Sequence, residues 1–217
     1  MERLIATLPN DVLYLTLDAT SHHGDYNVVH IGLATDGISL PLGLHVDAPD
    51  AAWADEARAV LTAIDAILPH RCQIVLLADR VHTGEPFLAW LDELEWYVVF
   101  RARETTQIEH PTQGWTVLKR ITTPANTGQF LSNVRIWKQG DRRINVTIYQ
   151  RVRAGFRPTT WSIVSDLPAE AARLADYACR WWQECTFKDC KSTMFDWERG
   201  RVTKDTRVCQ ATLCSLP

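Results

Sequence analysis

Four residues late in the chain, Tyr177, Arg180, Glu184 and Lys191, are spaced by three, four and seven positions. At about 100° per residue those steps return to nearly one face of a helix. A single stripe would then present a phenol, a guanidinium, a carboxylate and an ammonium in a row. A planar guanidinium beside a point-charge ammonium suits phosphate oxygens. The same spacing also suits a solvated face with an Arg–Glu pair worth about 0.3 kcal/mol. Two more carboxylates, Asp18 and Asp79, close the apolar runs VLYLTLD and CQIVLLAD. A sheet fixes an aspartate at a strand end while its head reaches a cleft. Turn formation and helix capping are the commoner uses of such a residue.

The elements that must position these groups follow from the hydrophobic pattern. VLYLTLDAT (12–20), NVVHIGLA (27–34) and ISLPLGLHV (38–46) are predicted strands, with Thr35-Asp36-Gly37 turning the last two into a hairpin. Residues 50–68 carry apolar positions at helical spacing, with Asp50 as N-cap and Pro69 beyond the end. CQIVLLAD (72–79) reads as a buried central strand, EPFLAWLDELEW as a short helix and WYVVFRAR (96–103) as another strand. From 104 to 165 short β-rich runs alternate with Gly, Asn, Asp and Pro clusters. The stretch PAEAARLADYACRWWQECTFKDCKS then predicts one long helix. Three segments result: 1–103, the first part of a core; 104–165, a β-rich insertion or sheet extension; and 166–217, a late helix and tail.

Composition narrows the class. Hydrophobic residues make up 46% and charged residues 23%, ordinary for a globular protein. No apolar run reaches the roughly 18 residues of a membrane span, and no signal peptide precedes the first strand, so a cytoplasmic location is expected. The six cysteines form no CxxC pair, which argues against zinc, and nothing suggests a disulfide framework. The net charge of −3 conceals an asymmetry: residues 1–95 hold 4 Lys+Arg against 15 Asp+Glu, and residues 96–217 hold 19 against 11. An acidic half and a basic half suit metal binding and phosphate contact, or simply an uneven surface.

The order Tyr177, Arg180, Glu184, Lys191 resembles the YREK signature of DDE transposases from bacterial insertion sequences. LTLDAT around Asp18, VLLADR around Asp79, WSIVSDLP before the helix and TFKDCKSTMFDWE after Glu184 are similar to that family too. The resemblance implies an α/β, RNase H-like fold: a mixed central sheet flanked by helices, with a β-rich insertion before the last catalytic helix. It implies that Asp18, Asp79 and Glu184 are catalytic and bind two Mg²⁺ or Mn²⁺ ions, consistent with the preference of hard cations for carboxylate oxygens. It also implies that Tyr177, Arg180 and Lys191 contact DNA. The expected function is metal-dependent phosphodiester cleavage and strand transfer on double-stranded DNA at transposon ends, by a homodimer near the nucleoid. Trp115, Trp137 and Trp161 are candidates for the aromatic that stacks a flipped base in some relatives, with a core or sheet role the favoured reading for each.

Two features depart from the family pattern. Val81-His82 stands where relatives have a Gly-aromatic pair. The chain also begins almost at the first catalytic strand and stops soon after the late helix. A truncated copy or catalytic core is therefore expected, and the alternative is an inactive remnant that binds DNA or a full-length transposase as an inhibitor.

Overall fold

The computed structural model describes residues 12–22, 26–47, 53–69, 71–82 and 84–188. They fall into two compact units: residues up to 74 together with those from 179 onward, and residues 75–178.

The first unit is built on three antiparallel strands, β1 (Val12–His22), β2 (Tyr26–Thr35) and β3 (Ile38–Asp47). The β2–β3 turn is the predicted one, with Asp36 at φ 46° and Gly37 at φ 88°, the two positive values of a type I′ hairpin. Strand alternation divides the side chains between two faces. Leu17, Ile31 and Gly43 lie in register across the three strands. That face carries α1 (Trp53–Asp65), whose Val60 and Ile64 sit where a side chain at residue 43 would be. Ala57, Leu61 and Ile64 of α1 are buried at steps of four and three. The proposed cap Asp50 lies outside the described residues.

Asp18, His30 and Leu44 form the next register row and face the other way. That face carries α4 (Trp181–Lys188), which packs against β2 and β3. Here the sequence reading needs correction. Asp18 does not end its strand: β1 continues to His22, and Asp18 is held mid-strand opposite His30. The apolar run stops at Asp18, but ladder pairing to β2 does not, because pairing depends on the backbone rather than side-chain polarity.

In the second unit the strands run in the order β4 (Gln73–Ala78), β5 (Tyr97–Arg101), β10 (Thr159–Ser165), β9 (Arg143–Arg151), β8 (Gly128–Arg135). β4 and β5 are parallel and the remaining pairs antiparallel, a mixed sheet. β4 is buried almost throughout, as its unbroken apolar sequence demands. The β-rich segment therefore extends this sheet through β8–β10, while β6 (Gln107–His110) and β7 (Gly114–Val117) make a separate pair. α2 (Glu85–Glu93) buries Phe87, Leu88 and Leu91, and Phe87 stacks on Phe100 of β5.

The predicted long helix is broken. α3 (Ala172–Ala178) belongs to the second unit and lies on β5 and β10, whereas α4 belongs to the first. At the start of α4, the N–H groups of Trp182 and Gln183 donate to carbonyls only three residues back, a tightened turn.

Candidate active site

In the first unit Asp18, Arg180 and Glu184 come together. The Arg180 guanidinium, nearly buried, lies 3.3 Å from Asp18 Oδ2 through Nη1, and its Nη2 donates to Glu184 Oε1. The Arg–Glu pair follows from helical i,i+4 spacing. The Asp18 contact does not: it needs α4 laid across the Asp18 face of the strands. Two acidic groups thus reach one cation, and both supply hard oxygen donors of the kind Mg²⁺ or Mn²⁺ takes.

The docking of α4 uses residues that sequence reasoning overlooked. Gln183, fully buried, donates from Nε2 to His30 Nδ1 at 2.6 Å and to the His30 carbonyl at 3.2 Å. Thr186 Oγ1 donates to the Ser39 carbonyl at 3.3 Å. Burial pushes the His30 imidazole down to about 4. An isolated apolar-strand histidine gives no sequence signal of this kind.

In the second unit Asp79 directly follows β4, as predicted. Its Oδ1 accepts the Arg80 N–H at 2.7 Å and its carbonyl accepts the His82 N–H at 3.0 Å, closing a short 3-10 turn. Asp79 is therefore a turn former as well as a candidate ligand. Tyr177 of α3, 4% exposed, places its hydroxyl 3.5 Å from Asp79 Oδ1. Trp161 packs edge-on against Tyr177 at 5.6 Å, so it buttresses a candidate residue. Trp115 instead lies beneath the Arg135 guanidinium at 5.4 Å. Trp137 occupies a turn at φ 57°. Arg80, Arg101, Glu104, Lys119, Thr160 and Ser162 are among the residues that line a cavity of about 230 Å³ in this unit.

The stripe predicted from one continuous helix is thus divided. Arg180 and Glu184 sit on or beside α4, Tyr177 sits on α3, and Lys191 lies outside the described residues. Among the described residues, no group of three or more His, Cys, Asp or Glu side chains is arranged to hold a metal ion. No described helix is long and apolar enough to cross a membrane.

No curated protein sequence matches the chain. A solved structure of a piggyBac transposase synaptic complex with hairpin DNA is similar in fold, with a TM-score of 0.51 at 10% identity. The likeness covers 83% of this chain and 40% of that one, so the chain spans well under half the length of this relative. With the mixed α/β architecture above, it gives the chain an RNase H-like fold, and the β-rich segment precedes α3 and α4 as expected. The family model described as "Transposase DDE domain" matches residues 16–215. With Asp18, Asp79 and Glu184 all inside that match, the chain belongs to the transposase DDE domain family.

Proposed function

We propose that this chain is the catalytic part of a DNA transposase that cleaves phosphodiester bonds and transfers strands at transposon ends, dependent on Mg²⁺ or Mn²⁺. Asp18, Asp79 and Glu184 are the proposed ligands of two ions. The observation that carries the reading is the Asp18–Arg180–Glu184 cluster, in which carboxylates from a strand and a late helix share one cation. Bound divalent ions would supply charge to activate the attacking hydroxyl and to steady the leaving oxygen. The carboxylates fix where those charges sit, on elements held by the sheet. Arg180 and Lys191 are suited to hold phosphate oxygens, and Tyr177 keeps a hydroxyl beside Asp79. Double-stranded DNA is the proposed partner, with a dimer on paired ends and a place at the nucleoid. The segments 1–103, 104–165 and 166–217 are the proposed working division of the chain.

Supercoiled plasmid nicking in Mn²⁺ tests this. Nicking that disappears in Asp79→Ala supports the enzyme, and joining of a cut end to target DNA separates a transposase from a plain nuclease. Salt-sensitive DNA retention with no cutting in any divalent metal would instead identify an inhibitory remnant.

A further inference from the structure

α4 spans eight described residues and begins at a tightened turn rather than continuing α3. Of its described side chains, Gln183 is the one fully buried, at 0% exposure. Among the described side chains, the buried anchor is therefore an amide, where a docked helix ordinarily uses leucine or isoleucine. Apolar burial tolerates sliding and rolling, because it has no direction. A buried amide does not, since any other position leaves its donors without partners. Gln183 spends both N–H donors of Nε2 on one residue, the ring nitrogen and the carbonyl of His30. Because the amide nitrogen only donates, Nδ1 of His30 must accept.

The clamp lies one step from both acidic groups. His30 is the register partner of Asp18 across β1 and β2, and Gln183 directly precedes Glu184. We infer that the His30–Gln183 pair is a positioning device: it fixes the height and roll of α4 on β2 so that Arg180 and Glu184 face Asp18. It rests on the functional reading above only insofar as that cluster is the metal site. Neither residue belongs to the YREK spacing.

The experiment uses the full chain and two independent readouts. The first is a double-mutant cycle on the Asp18–Arg180 pair (Asp18→Asn, Arg180→Met and both), measured by urea denaturation in the wild-type and Gln183→Leu backgrounds. Leucine keeps the helix docked by burial but removes the directional bonds, and His30→Leu serves as a second background should Gln183→Leu fold poorly. The expected result is coupling in the wild type that vanishes in either background. Coupling that persists at wild-type strength in a folded variant overturns the inference. The second readout is Mn²⁺ binding by calorimetry, expected to weaken about tenfold in Gln183→Leu; unchanged affinity also counts against the clamp. Absence of Mn²⁺ binding in the wild type would sink the functional reading and leave the cycle to decide the clamp.

Discussion

Among the described arginines that sit between two carboxylates, Arg180 and Arg142 occupy settings that differ in kind. Arg180 joins Asp18 and Glu184 in the first unit. Arg142, in the second, reaches Asp92 at the end of α2 and Asp166 just after β10, the latter at 3.2 Å. Asp166 also accepts the Val98 N–H of β5 at 3.0 Å, and Asn145 donates to the carbonyls of Asp166 and Leu167. Burial works against the Arg142 charge, yet its two carboxylates outweigh that and raise its pKa. Burial raises the pKa of Asp166 despite Arg142 and the Val98 N–H. This cluster stitches backbone segments together. In the Arg180 cluster the bonds to Asp18 and Glu184 run between side chains, and the backbone enters through the local Ala19 N–H, which donates to Asp18 Oδ1 at 2.9 Å. An arginine flanked by acids therefore marks a site no better than a structural tie; the backbone's share in the bonding tells them apart.

The largest expected difference is chemical. Asp18→Asn or Glu184→Gln should cut Mn²⁺-dependent nicking by on the order of a thousandfold while the fold persists. Asp166→Asn should lower stability and leave nicking per folded molecule close to wild type. If plasmid assays show equal losses in both clusters, the distinction fails.

Stability should rank the other way. Arg142→Met leaves the mostly buried Asp166 carboxylate without its cation and should destabilise by about 3 kcal/mol in urea titrations. Arg180→Met should cost less once Mn²⁺ is supplied, because a bound cation can stand between Asp18 and Glu184 in place of the guanidinium. A matching cost would make Arg180 a structural tie as well.

Acid should separate the two regions by sign. The folded pKa of His30 lies below its ordinary value of 6.5, at about 4, so the unfolded chain takes up the proton first. Its contribution is complete above pH 6.5 and is lost as pH falls through about 4, amounting to about 3 kcal/mol. Asp166 does the opposite: its pKa is raised, so its contribution is greatest below the ordinary carboxylate range and declines as pH rises through it. Denaturation followed from pH 7 to 4 should show a loss of stability that His30→Gln largely removes; an unchanged slope in that variant would refute the assignment.

The smallest effect concerns the sheet beneath the site. A Cβ at Gly32 would stand 2.0 Å from Ser39 Oγ, where that hydroxyl meets Thr16 Oγ1 across β2 at 2.8 Å. Gly32→Ala should cost roughly 2 kcal/mol, with partial rescue by Ser39→Gly, both read by thermal melting.

Much of this was legible without a fold. The apolar run ending at Asp79, the Asp36-Gly37 hairpin, the α1 periodicity and the β-rich stretch before the late helix are local patterns, and local backbone preferences carried them through. The sequence also singled out Asp18, Asp79, Glu184, Tyr177 and Arg180 as types able to do phosphate chemistry. It misjudged the end of β1, because ladder pairing continued past the last apolar residue. It also ran α3 and α4 together, since helical periodicity says nothing about a tightened turn at Cys179–Arg180.

Tertiary structure alone decided that Arg180 faces Asp18 from 162 residues away and that Gln183 anchors its helix through His30. Those contacts join residues distant in the chain, and their energies depend on burial and direction. Neither quantity exists until strands and helices have packed, so only the assembled units could reveal them.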